Sequence, residues 1–256
     1  MPSLEIYQVP CLSDNFGVLI HDASSNVTAS IDAPEAEAVR KALADKGWKL
    51  THVLVTHHHA DHTQGIAELK AETGCTVIGP RNEAAKIPTL DSTVGEGDTV
   101  TFGSHRLQVL DTPGHTAGHI SYVCPEQKAA FVGDTLFAIG CGRVIEGTPQ
   151  MMWTSLSKLM KLPHDTMIYC GHEYTAANAA FALTIEPDNA ALKARAEEVK
   201  HLRAAGKATL PTRLDHELET NPFLRPHIAA IRKQLGLEGA EDWQVFAEIR
   251  ERKNRS

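Results

Sequence analysis

The segment Thr56-His57-His58-His59-Ala60-Asp61-His62 carries the spacing H-x-H-x-D-H directly after the apolar run 53–55. Imidazole is a ligand for zinc, iron and related ions, and carboxylate adds a hard anionic donor. A single histidine is more often structural or exposed than ligating. Four donors packed into one short loop after a strand are hard to explain that way, because a strand end aims such side chains from a rigid support. Three further donors sit beside glycine just past apolar β segments: His115 in Thr112-Pro113-Gly114-His115-Thr116, Asp134 in Gly133-Asp134-Thr135 and His172 in Gly171-His172-Glu173. Glycine permits the tight turns and close approach such a loop needs. Any one of these alone would pass for a turn residue. Their recurrence at strand ends points to one shared metal site.

The elements that must position these donors are short. Apolar runs bounded by Gly, Pro, Asn and Asp predict strands at 4–8, 16–21, 27–31, 52–55, 76–79, 105–111, 120–124, 129–132 and 166–169. Helices are expected at 35–46 (opened by Pro34), 63–72 and 148–161. This mixture predicts layered α/β structure. After about residue 173 strand signals vanish and good helix formers dominate 175–205. Pro187 and Asp188 split that stretch, and Asn189 is placed to start the second helix. Pro211, Pro222 and Pro226 mark a looser segment, and 242–253 reads as a final amphipathic helix.

The pieces THHHADH, TPGHTAGH, VGDTLF, GCGR, CGHEYT, TNPFLR and IRERK resemble the metallo-β-lactamase superfamily and, within it, the glyoxalase II (hydroxyacylglutathione hydrolase) family. The resemblance implies a four-layer αβ/βα sandwich over residues 1–173 and a helical substrate-binding domain over 174–256. It implies that His57, His59 and His115 hold one metal, that Asp61, His62 and His172 hold a second, and that Asp134 bridges them. Seven ligands are too many for one tetrahedral ion but suit two ions sharing a carboxylate. No cysteine is in the set, so zinc, iron or manganese would fit, zinc first. The implied reaction is hydrolysis of S-(2-hydroxyacyl)glutathione, such as S-lactoylglutathione, to glutathione and a 2-hydroxy acid (D-lactate), with Asp61 and Asp134 as the catalytic carboxylates. By the same resemblance Arg143, Tyr174, Arg250 and Lys253 would meet the glutathione moiety. Read bare, Arg250 and Lys253 are a solvated basic C-terminus sharing one helix face. Two departures stand out: Arg143 where lysine is common, and Ile145 where some relatives carry a tyrosine.

Composition narrows the alternatives. The chain has 256 residues, 42% apolar and 22% charged, enough for one large domain or a domain with an appendage. A formal charge of −7 argues against nucleic acid or an anionic membrane as partner. Five scattered cysteines suggest a reducing compartment. No secretory signal and no run near the ~18 apolar residues of a membrane span is evident, so a cytoplasmic monomer is expected. Rival functions are a one-iron persulfide dioxygenase, a lactamase, a nuclease and a metal-binding protein without turnover. Several residues stay open at this level. His58 reads as a support or an exposed residue, His119 as a support or strand packing, Asp14 and Asn15 as pocket lining or a turn. Cys141 and Cys170 read as packing.

Overall fold

The computed structural model describes residues 4–256, which divide into two compact units. The first runs to Asp111 and adds Thr116–Gly133; the second is Thr112–His115 with Asp134–Ser256. This division follows packing, whereas the one drawn at residue 173 follows composition.

The first unit contains β1 (Leu4–Cys11), β2 (Asn15–Asp22), β3 (Val27–Ile31), β4 (His52–Leu54), β5 (Thr76–Pro80) and β6 (Ser92–Val94), which form one sheet in that order. β1, β2 and β3 pair antiparallel, while β3 to β6 run parallel. Parallel neighbours need crossovers. They are supplied by α1 (Ala36–Lys46), α2 (Ala60–Thr63) and α3 (Ile66–Thr73). α1 buries Ala36, Val39, Ala42 and Leu43 at helical spacing and stops at Gly47, whose φ of 69° suits a left-handed cap. This face joins a core with Leu19, Val53, Val55, Ile66, Leu69 and Val77. A second run, β7 (Thr99–Phe102), β8 (His105–Asp111), β9 (Ile120–Cys124) and β10 (Ala129–Gly133), pairs antiparallel in sequence order.

The second unit contains the small pair β11 (Leu136–Phe137) and β12 (Gly140–Cys141), helix α4 (Pro149–Leu159), β13 (Met167–Cys170), and then α5 (Thr175–Ile185) and α6 (Ala190–Ala204). It closes with β14 (Thr212–Arg213), α7 (Leu214–Thr220), α8 (Ala229–Leu235) and α9 (Asp242–Asn254). Thr148 caps α4 by accepting from the Met151 amide, and Pro149 fills the first turn. Asn189 caps α6 through the Leu192 amide, as its position after Pro187-Asp188 predicts. α9 starts in a capping box between Glu241 and Gln244 and buries Val245, Phe246, Ile249 and Arg250 on one face.

Two local expectations need correction. The helix expected at 63–72 starts later, as α3, with the separate short helix α2 before it and a break around Gln64 and Gly65. A Cβ at Gly65 would lie 2.7 Å from the Ala36 amide nitrogen and 2.9 Å from the Ala33 oxygen, so the chain is pressed there against the start of α1. The segment expected to be loose after Pro211 instead forms β14, α7, α8 and a 3-10 turn at Pro222–Leu224. Its prolines stand outside the α-helices, Pro222 opening that turn and Pro226 lying just after it, and leave the helices intact. Among the described residues no helix is long and apolar enough to cross a membrane.

Candidate metal centre

In the first unit the donors follow β4, at the carboxyl end of parallel strands, where ligands collect in α/β sheets. The register pairs Ile31 with Leu54, which brings Asp32 beside Thr56. Asp32 is buried at a φ of 56°, a conformation Asp tolerates better than most residues. Its Oδ1 accepts from the Thr56 amide at 2.8 Å, and its Oδ2 accepts from the Thr56 hydroxyl at 2.8 Å. The same Oδ2 lies 2.8 Å from His62 Nδ1. A carboxylate only accepts, so His62 carries its proton on Nδ1 and keeps Nε2 for a ligand. The Thr56 proton is committed to Asp32, so at 3.0 Å from the Thr56 oxygen His57 Nδ1 must donate. His57 Nε2 thereby carries no proton, and it lies 3.2 Å from His59 Nδ1.

Ring nitrogens of His57 and His62 and a carboxylate oxygen of Asp32 lie within 4.8 Å of one another. Asn15 is buried, and its amide donates to the Asp61 carbonyl at 3.1 Å and carboxylate at 3.2 Å. Asn15 thus holds Asp61 in place, a role beyond the pocket lining or turn expected of it. His119 is buried and stacks on His57 with ring centroids 4.8 Å apart, so it also supports the loop. His58 is half-buried and points to Glu83, 2.8 Å from its carboxylate. Glu83 is only 2% exposed and also accepts from the His58 amide, Thr116 and the Gly118 amide, tying the His57 loop to the chain after His115. Sequence reasoning did not find Asp32 or Glu83. Asp32 is expected to matter through His62: Asp32→Asn should lower metal affinity by roughly 10–100-fold, measured by chelator competition, with unchanged affinity counting against this role.

The second unit brings three of the candidate ligands, His115, Asp134 and His172, together. His115 Nδ1 donates to the Arg143 carbonyl at 2.8 Å, which turns Nε2 to within 3.4 Å of Asp134 Oδ2. His172 Nε2 lies 3.3 Å from the same oxygen. Ser155 on α4 donates to the Pro113 carbonyl at 2.7 Å and so steadies the His115 loop. The His172 ring lies flat on Tyr174, centroids 4.6 Å apart and planes 6° apart, and Phe137 meets both edge-on. All three donors are buried.

The implied substrate contacts divide by exposure. Arg143 and Tyr174 are exposed, as is Ile145 at 55%. Lys253 is half-buried, lies over the Phe181 ring and is pushed down by burial first and by Arg250 second. Arg250 is 8% exposed: its guanidinium donates to the Cys141 carbonyl at 2.9 Å and to Asn254 at 3.1 Å, and it covers the Phe223 ring. It is thus not a solvated tail residue. Burial pushes the Cys141 thiol up to about 11 and the Cys170 thiol still higher, which suits packing and not nucleophilic attack.

The model described as metallo-beta-lactamase superfamily matches residues 18–172. The model described as hydroxyacylglutathione hydrolase C-terminus matches residues 173–256. A curated hydroxyacylglutathione hydrolase from Brucella anthropi is 58% identical over 253 residues, covering 99% of this chain and 97% of that one. The chain belongs to the hydroxyacylglutathione hydrolase family. Among solved structures, ETHE1 from Myxococcus xanthus is 31% identical with a TM-score of 0.61, covering 86% of this chain and 98% of that one. The B3 metallo-β-lactamase BLEG-1 is 20% identical with a TM-score of 0.65, covering 86% and 99%, and shows the shared fold. The metallo-β-lactamase-type α/β fold with a helical C-terminal region, expected from the resemblance, is therefore present. Within this family the clustered histidines and aspartates are suited to divalent metal ions.

Proposed function

We propose that this hydroxyacylglutathione hydrolase family member cleaves S-lactoylglutathione and related 2-hydroxyacyl thioesters to glutathione and a 2-hydroxy acid, the second step of methylglyoxal detoxification. His57, His59 and His115 would hold one ion, Asp61, His62 and His172 the other, and Asp134 would bridge. The observation that carries this reading is that His115 Nε2 and His172 Nε2 both face one oxygen of Asp134. Two imidazole nitrogens beside one carboxylate oxygen suit a bridging ligand, whose two neighbours would each serve a different ion. When bound, two such ions lower the pKa of water toward ~7 and polarise a carbonyl. The residues do the rest. Asp32 and the Arg143 carbonyl hold the proton on Nδ1 of His62 and His115, so that Nε2 would be available to an ion. A thiol of pKa ~8.5 leaves readily as thiolate, so no separate general acid is needed. Zinc is the proposed ion, with iron or manganese compatible with the same N and O donors.

The division into a catalytic domain (1–173) and a helical substrate-binding domain (174–256) belongs to the same proposal. Glutathione carries two carboxylates, which Arg143 and Lys253 can meet. Tyr174 offers a ring and a hydroxyl, and Arg250 contributes from beneath by holding the Cys141 carbonyl beside Gly142-Arg143. Arg143→Met is expected to raise KM about 10-fold with kcat nearly unchanged, the signature of lost ground-state binding. A matching fall in kcat would instead assign Arg143 to the reaction itself. A cytoplasmic monomer is proposed, the location supported by five free, buried cysteines.

The deciding experiment follows loss of the thioester absorbance of S-lactoylglutathione with metal-replete protein, with and without chelator. Chelator-sensitive hydrolysis supports the reading. No hydrolysis, together with oxygen uptake on glutathione persulfide, would replace it with the dioxygenase. Metal near two per chain with neither activity would leave a metal-binding protein.

A further inference from the structure

A separate group of ligand-type side chains lies in the first unit, on elements that carry none of the donors above. His105 opens β8, Cys124 ends β9, and Glu126 sits in the 3-10 turn Pro125–Gln127 that follows. The antiparallel register pairs Gln108 with Val123, which sets the start of β8 opposite the turn that carries Glu126. One ring nitrogen, Sγ and one carboxylate oxygen of these residues all lie within 4.8 Å of one another. The Cys124 thiol donates to Glu126 Oε2 at 3.6 Å. His105 is 3% exposed and Cys124 is fully buried. His105 Nε2 is buried and meets no hydrogen-bond partner. Buried polar atoms are seldom left this way, because an unmet group forfeits its hydration without return.

We propose that His105, Cys124 and Glu126 form a zinc site that pins the start of β8 to the β9–β10 connection. The mixed N, S and O set suits a borderline-soft ion, and zinc accepts all three donor types. Bonds of about 2.0–2.3 Å in a tetrahedron place donor atoms roughly 3.3–3.8 Å apart. The sulfur–carboxylate pair already meets that spacing, and side-chain rotation brings the imidazole in. Glu126 also lines an open cleft of about 300 Å³ with Thr99, Arg106, Gln108 and Pro125, which gives the ion an entry path and its fourth ligand, water.

Charge balances at this site. Zn²⁺ displaces the thiol proton, the sulfur becomes a thiolate and one proton leaves to solvent. Thiolate, carboxylate and dication then sum to zero, which allows burial. Burial pushes the free thiol up to about 11, so ion uptake strengthens as pH rises. No electron is transferred.

The test adds Co²⁺ or Cd²⁺ to the reduced full-length protein and reads thiolate-to-metal charge-transfer absorption. The proposed catalytic set contains only N and O donors and is silent in that band, so the readout does not depend on the proposed function. A band saturating at one ion per chain is expected, displaced by Zn²⁺ and absent in Cys124→Ser. Glu126→Gln alters an exposed side chain that leaves the fold undisturbed, and should weaken the titration roughly 10-fold. Absence of the band in the wild type, an equal band in Cys124→Ser, or unchanged affinity in Glu126→Gln would overturn the site.

Discussion

Replacing Asp134 with alanine is expected to abolish metal retention and thioester hydrolysis together. Loss of a supporting residue around a metal typically costs 10–100-fold, and loss of a ligand shared by two ions should exceed that, on the order of 10³-fold or more. Both His115 Nε2 and His172 Nε2 lie within 3.4 Å of one oxygen of this side chain. Without it two imidazole nitrogens face each other with no anion between them, and a second cation meets less negative charge. The fold should survive, because the substitution removes a small side chain beside a turn and leaves backbone bonds in place. Metal content by elemental analysis, hydrolysis of S-lactoylglutathione and far-ultraviolet circular dichroism would be measured on one sample. Wild-type activity with both ions retained would remove Asp134 from the bridging position.

The proposed donors stand out in the chain because their types and spacing carry chemistry wherever the fold puts them. His57, His59, Asp61 and His62 follow a strand, and His115, Asp134 and His172 each lie shortly after one. Their supports were not readable. Asp32 lies 24 positions before Thr56, and only the parallel register of β3 with β4 brings its carboxylate to the Thr56 amide. Glu83 sits in a short 3-10 stretch among polar residues, and its burial follows from packing alone. A retrospective signal exists for Asp32: a charged residue at the end of an apolar strand, followed by Ala-Pro, needs a partner. His119 could be settled only by its stacking on His57. Strands β8, with alternating buried and exposed residues, and β9, buried throughout, appear with the bounds expected from sequence. Two-residue pieces such as β11, β12 and β14 carry too little pattern to see. α7 and α8 were hidden by the prolines around them, since a proline beside a helix and a proline breaking one look alike in sequence. The basic tail shows the same limit from another side: spacing put Arg250 and Lys253 on one face, yet only packing distinguishes the buried arginine from the half-buried lysine.

Gly142→Ala is expected to damage stability and the donor geometry at once, although Gly142 is neither a ligand nor in a left-handed conformation. A Cβ at this position would overlap the Asp134 carbonyl oxygen and touch His115 Cβ at 3.4 Å. Backbone oxygen cannot swing aside as a flexible side chain can. The Gly142 amide also donates to the Thr135 carbonyl at 3.2 Å, and the next carbonyl, that of Arg143, is the acceptor that orients His115. Moving the chain outward to clear the methyl group therefore pulls on His115 through Arg143, while moving Asp134 shifts its carboxylate. Overpacking of a tight site costs about 1–3 kcal/mol, and the upper end applies where the obstacle is backbone. At roughly 2–4 °C per kcal/mol for a chain of this size, the variant should melt ~6–12 °C lower. Its metal affinity should fall as well, because both His115 and Asp134 are displaced. Thermal melts with and without added metal separate the two effects, since excess ion restores stability only where the donors can still reach it. A melting temperature and metal affinity equal to wild type would show that the turn after β12 yields freely and that Gly142 has no part in positioning the donors.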